Sequence, residues 1–432
     1  MIRETVRRTT ALGAGVLALT MIVGLTTGCG AKAQATPTPT KTPRPVQAAA
    51  TLAPTPTSVP ALPTIAPSPT STMVPPTATS DPTDAPSATP PPDAGAQAAS
   101  PTAQSQSGGS AGASAEPLPR VPGVSIFTGL RPADPAVLDR RPLAVKIANQ
   151  ASVIPQSGLS KADVVVESRV EFCESRYTAI YQSQDAPRIG SIRSARLVDV
   201  ELPVIFDAIL AFSGGVEPVR QRLYKSDFGD RVLEQARNGS SFFRDPNINV
   251  PDNLFANTAT LWKTATARGW NKAPDGASAA WVFSDGAPEG GKPATRLDVP
   301  YPRFKVAWTY DPEIGRWKRT LRGAPHLEKT DGSQLAAANV VVLTANHVQT
   351  LIPEHGTTLT SGPCSNRSIE IQLWGKGPAK VLRDGKVYEG FWVRPDRHSP
   401  FRIVDASGKD IPLKPGNSWW QVVAPELKVT AS

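Results

Sequence analysis

Residues 31–118 are almost entirely Pro, Thr, Ala, Ser, Gly and Gln, in runs such as TPTPTKTPRP and QSQSGGSAGASAEP. This stretch constrains the architecture more than any motif does. It has too few large apolar side chains to offset the entropy lost when a backbone is ordered. Its prolines remove backbone donors and favour extended, polyproline-like conformations. A disordered linker is therefore expected over 30–118. As a stalk it would reach on the order of 100–250 Å, depending on how extended it is. Its threonines and serines are open to O-glycosylation. Globular composition begins only near Leu118, and the chain beyond that point is long enough for one large domain or two modest ones.

The other side of the stalk reads as an address. Arg3, Arg7 and Arg8 form a positive segment, and residues 10–27 are apolar or small without a charge. At the extreme N-terminus this pattern is that of a processed signal sequence over 1–29 rather than a permanent span. The run ends in Thr26-Thr27-Gly28-Cys29, which resembles a bacterial lipobox, with the usual aliphatic residue at Leu25, one place early. The expectation is lipidation of Cys29, the membrane as a partner through that lipid anchor, and an extracytoplasmic ectodomain. The alternatives are a simple secretory signal or an uncleaved anchor, with Cys29 incidental.

The formal charge of +9 lies mostly after residue 118. A basic ectodomain facing an anionic envelope points to phosphate- or carboxylate-bearing polymers or headgroups, against the plainer reading of a solvated surface. No nucleic-acid partner, cofactor or metal is expected. Cys173 and Cys364 are the other two cysteines. An exported pair can oxidise to a disulfide, and two buried thiols are the alternative.

Strand and helix signals alternate over 119–271. Residues 142–148, 163–167, 176–181 and 208–212 read as strands, with 163–167 continuous enough to be buried on both faces. Helical periodicity appears at 197–207, 217–225 and 256–268. Interleaving of this kind predicts an α/β region with a mixed sheet. Over 272–432 strand signals dominate, with hairpin connections at 311–315 and at Arg383-Asp384-Gly385-Lys386, and predict a β-rich, mostly antiparallel region.

Several blocks resemble the YerB-like bacterial envelope lipoproteins. They are 157–167 (SGLSKADVVVE), 189–196 (IGSIRSAR), Ser213-Gly214-Gly215, Gly323-Ala324-Pro325-His326, 338–342, Gly375-Lys376-Gly377 and Leu413-Lys414-Pro415-Gly416. They span nearly the whole ectodomain in the family's order, and the Arg-Ser-Ala-Arg block is the most specific. The resemblance implies an α/β N-terminal region, a β-rich C-terminal region and envelope anchoring. It implies no reaction, because the function of the family is unknown. Phe172-Cys173-Glu174-Ser175 departs from the glycine-containing stretch of the pattern.

Arg188, Arg193 and Arg196 fall within nine residues, with Ser191 and Ser194 between them. A helix beginning near Ser194 would add free N–H groups to these guanidinium forks and make a cradle for phosphate or carboxylate, with Arg176 joining from a strand. Alternatively the arginines pair with Glu167, Glu171, Glu174, Asp199 or Asp207 and lock the layer together. Glu167 and Glu171 share a face if their strand runs through Val170, and could then do acid–base work or hold a divalent ion, against the plainer reading of an ion-paired strand end. The histidines, His326, His347, His355 and His398, lack helical metal spacing. Of Trp419-Trp420, one would face solvent in a strand. Three readings stay open: an anion-binding lipoprotein using Arg176, Arg193, Ser194 and Arg196 with Glu167 and Glu171; an envelope hydrolase or transferase using Glu167 or Glu171 beside the arginines; and a structural or interaction module.

Overall fold

A computed structural model describes residues 120–274 and 281–432. Cys29 and the 30–118 linker lie outside the described residues. Ten strands of the main sheet are, in chain order, β1 (Leu143–Ala148), β2 (Val164–Arg169), β3 (Ser175–Tyr181), β4 (Ile209–Phe212), β5 (Val232–Glu234), β6 (Asn339–Thr344), β7 (Gly375–Arg383), β8 (Lys386–Arg394), β9 (Arg402–Val404) and β10 (Ser418–Val423). Their spatial order is β9-β8-β7-β6-β10-β2-β3-β1-β4-β5, and Lys292–Pro293 adds an eleventh strand against β8. The sheet is mixed. β10 runs parallel to both β6 and β2, while β3 is antiparallel to its two neighbours, β2 and β1. The last long strand of the chain thus joins strands from the two halves into one sheet.

Local sequence explains the elements. β2 opens with a run of valines buried on both sides, as its continuity predicts. The β7–β8 hairpin turns through Asp384 (φ 51°) and Gly385 (φ 68°), the left-handed pair that a two-residue turn needs. Helix α1 (Leu202–Ile205) is a single turn. Helix α2 (Glu217–Tyr224) opens with Pro218, whose missing N–H costs nothing there. Helix α3 (Thr258–Ala267) is capped by Asn257, whose side chain accepts from the Thr260 N–H at 2.8 Å.

Alternate side chains of the sheet feed two apolar layers. Val165, Val340, Val342 and Trp419 pack into one, with Trp308 and Trp317 of a six-stranded sheet and Leu261 of α3. Val164, Val166, Val341, Leu343 and Trp420 pack into the other, with Leu202 of α1 and Leu223 of α2. Each large apolar side chain fully removed from water contributes about 1.5–3 kcal/mol. Trp419 and Trp420 do point to opposite faces, but neither reaches solvent, at 2% and 0% exposure. The expected surface aromatic is absent because β10 lies mid-sheet, covered on both sides.

Candidate functional site

The Glu171 turn follows directly from β2. The strand stops at Arg169, and a tight turn over Glu171–Cys173 leads into β3. Phe172 and Cys173 both take the left-handed conformation, with φ of 59° and 60°. Side chains with a Cβ disfavour that region, so tertiary contacts must hold them. The Phe172 N–H donates to the Ser365 carbonyl at 2.9 Å, and Cys173 is in a disulfide with Cys364. The two cysteines therefore tie this turn to the loop that lies beyond residue 354. Glu167 and Glu171 do not lie on one continuous strand face, because the strand ends between them.

The arginine segment lies against β1, where Ile192 bridges to Ile147. Arg193 donates its N–H to the Lys146 carbonyl of β1 at 3.0 Å, and Ala195 to that of Gly214 at 3.1 Å. No helix begins at Ser194. A short helical turn spans Leu197–Val200 with Arg196 as its cap, and the Asp199 carboxylate accepts the Arg196 N–H at 2.7 Å. The N–H groups of Arg193, Ala195 and Arg196 are thus engaged inside the fold. Arg188 leaves the cluster: it pairs with Asp245 at 2.7 Å and lies 3.6 Å over the Phe255 ring.

Five of the candidates share one cavity of about 490 Å³. Glu171, Arg176, Arg193, Ser194 and Arg196 line it together with Gln150, Phe172, Glu354 and His355. Glu167 does not. It is fully buried in the other layer, where one oxygen accepts from Ser175 Oγ (2.7 Å) and Asn149 Nδ2 (3.2 Å). The other accepts from Arg319 Nη2 (2.7 Å) and Gln421 Nε2 (3.0 Å). A more open depression of about 650 Å³ lies beside α2, but its Arg397 is clamped between Glu201 (2.6 Å) and Asp227 (2.8 Å).

Within the cavity the charges are unevenly matched. Arg196 grips Glu171 with two N–H groups, one at 2.7 Å, and its Nε is also 3.3 Å from Glu354 Oε2. Arg193 is paired with Asp252. Arg176 donates to the Ser194 carbonyl at 2.8 Å and reaches Glu171 only at 3.5 Å. Burial opposes ionisation of Glu171, but the Arg196 hydrogen bonds and charge, with Arg176, bring its carboxyl down to about 2. Burial, followed by repulsion from Arg196, lowers the Arg176 guanidinium to about 9 despite Glu171. Burial raises Glu354 above the ordinary carboxylate range, with Glu171 adding to it and Arg196 opposing it.

Sequence reasoning did not single out Glu354. Its neighbour His355 was visible only as a loop histidine; it is exposed, with Nε2 4.0 Å from Glu171 and its ring 5.5 Å from that of Phe172. Of the other histidines, His326 is buried between Arg319 and Gln156, and burial with the Arg319 charge keeps it well below its ordinary pKa. Among the described residues no group of three or more His, Cys, Asp or Glu side chains is placed to hold a metal ion, and no helix is long and apolar enough to cross a membrane.

Comparison with known proteins is consistent with this architecture. Residues 127–271 match the N-terminal domain, and 297–420 the C-terminal domain, of a family described as "Protein of unknown function (DUF3048)". The chain is 29% identical over 304 residues to "Putative lipoprotein YerB" of Bacillus subtilis (strain 168), covering 70% of this chain and 86% of that protein. The crystal structure of the YerB protein from Bacillus subtilis superposes with a TM-score of 0.59 at 25% identity, over 71% of this chain and 99% of that one. With both domains matched in order, and with the mixed sheet and the β-rich second half that the resemblance implied, the chain belongs to the DUF3048, YerB-like family.

Proposed function

We propose that this chain is an extracytoplasmic lipoprotein, held to the membrane by lipid on Cys29, whose ectodomain binds an anionic group of a cell-wall polymer or lipid-linked headgroup in the Arg176 cavity. The observation that carries the binding reading is the state of Arg176. Its guanidinium lines the cavity, yet the one carboxylate within ion-pair distance, Glu171, is already gripped by Arg196. A phosphate or carboxylate entering the cavity would supply the counter-charge that the fold withholds, with charge-assisted hydrogen bonds. Arg193 and Arg196 would flank it. The linker over 30–118 fits a stalk that lifts the domain into the polymer layer.

Calorimetric titration of the folded ectodomain with inorganic sulfate and phosphate at low ionic strength tests the site. Saturable binding is expected, and heats indistinguishable from dilution would remove the anion reading. Fatty-acid probe labelling in cells tests the anchor separately: wild type should label and Cys29→Ser should not.

A further inference from the structure

Glu354 carries a second, unused capacity at the same cavity. It sits where the strand His347–Pro353 ends, and only 5% of its surface is exposed. Ser368 donates to its Oε1. The residue lines the site, and its Oε2 is buried with no hydrogen-bond donor. The nearest cation, Arg196 Nε at 3.3 Å, already donates to Glu171 at 2.7 Å. A buried carboxylate oxygen without a donor is costly, and a proton removes that cost while turning the oxygen into a donor.

We infer that Glu354 is a ligand-contacting residue of the cavity that binds a proton together with the anion, so that anion capture is proton-coupled. This rests on the anion-binding reading of the cavity. The groups facing Glu354 are few. Arg196 approaches from the cap of the Leu197–Val200 turn, Glu171 from the turn after β2, Arg176 from β3, the Ser368 hydroxyl from the strand Arg367–Ile371, and His355 is next in sequence. With Arg193 and Glu174, which also line the cavity, four cations and three carboxyls therefore share the pocket when His355 is protonated. An incoming anion adds negative charge beside Glu354 and favours its protonated form. By reciprocity, protonation favours the anion. Ligands bearing an anionic oxygen next to a hydrogen-bond acceptor, as in a phosphate ester or a carboxylate beside an ether or hydroxyl, would use Arg176 and the Glu354 proton at once.

Sulfate is the probe for the test, because its charge is constant between about pH 5 and 8. Wild-type affinity should strengthen as the pH falls, by at most about tenfold per pH unit, the limit for one coupled proton. Calorimetry in buffers of different ionisation enthalpy should show proton uptake. Glu354→Gln should keep binding while its slope flattens, whereas His355→Gln should retain the slope. A slope that survives in Glu354→Gln and vanishes in His355→Gln overturns the inference and leaves the anion site standing. Wild type that binds no sulfate at any pH overturns the binding reading instead, and melting curves then decide Glu354. A carboxyl raised in the folded state loses stability as the pH climbs from the unfolded value through the folded one. The melting temperature of Glu354→Gln minus that of wild type should therefore widen as the pH rises above the ordinary carboxylate range. A constant difference would show that Glu354 holds no displaced proton.

Discussion

Two Glu–Arg networks start from glutamates four residues apart in sequence and behave differently. Glu167, on β2, meets Arg319 inside a layer between the main sheet and the six-stranded sheet, and four donors cover its two oxygens. Arg319 continues to His326, which reaches Gln156, and lies 4.7 Å from the Trp419 ring centre. Glu171, just beyond the end of β2, meets Arg196 beside a cavity, with Arg176 and Glu354 left short of partners. The first arrangement answers both oxygens of Glu167, which a buried ion pair needs to be tolerable, though Arg319 Nε is left without an acceptor. The second is incomplete where it meets solvent-sized space, which is how a binding site differs from a brace. The residue types are the same; what separates the roles is whether a strand continues or turns.

The largest effect expected from this contrast is on stability. Glu167→Ala strands the fully buried Arg319, and should cost about 3–5 kcal/mol of unfolding free energy. Urea denaturation of wild type and variant measures it. A loss under about 1 kcal/mol would mean that the interior network is no brace, and the comparison would collapse from that side.

The second test bears on the open network alone. Cys173 and Cys364 are 191 residues apart, and their bond ties the Glu171 turn to the loop beyond Glu354. Replacing both by serine should lower stability by about 2–4 kcal/mol, mainly by freeing the unfolded chain. Because Phe172 and Cys173 sit in the left-handed region, the turn should also relax in the variant. Amide hydrogen exchange should then rise at Phe172, whose N–H is held by Ser365, and stay slow in β2 and β3. Equal acceleration in the turn and in the sheet would show that the cavity wall is not a separate unit.

How far the sequence spoke is visible in particular residues. The valines of β2 and the Asp384-Gly385 turn stand where their local patterns predicted, because burial on both faces and left-handed backbone leave marks within a few residues. β10 was legible as a strand, but its insertion between β6 and β2 was not, so Trp419 and Trp420 could not be seen to be covered on both faces. The arginine segment was recognised through its density, yet the helix expected at Ser194 is absent because Asp199 and Gly214 occupy the donors that would have opened it. Glu354 left no local signal. Its partners Arg196, Glu171 and Ser368 come from three separate elements, and only the fold brings them together. The disulfide was open for the same reason, since nothing near either cysteine encodes the distance between them.

The smallest expected change is the most discriminating. Arg176→Ala removes a guanidinium that burial and Arg196 already hold down at about 9, so its charge is poorly compensated in the folded state. Glu171 keeps its two-pronged contact with Arg196 when Arg176 is gone, and no carboxylate is stranded. The Ser194 carbonyl loses one donor, beside a cavity large enough to admit water. Stability should therefore move by no more than about 1 kcal/mol, and relief of the Arg176–Arg196 repulsion could make the change favourable. Sulfate affinity should fall much further, by about ten- to a hundredfold, the usual worth of one charge-assisted contact. Arg319→Ala gives the opposite profile, with a large drop in melting temperature. If Arg176→Ala instead melts as early as Arg319→Ala, Arg176 is a brace like its buried counterpart, and the two networks differ only in their distance from the surface.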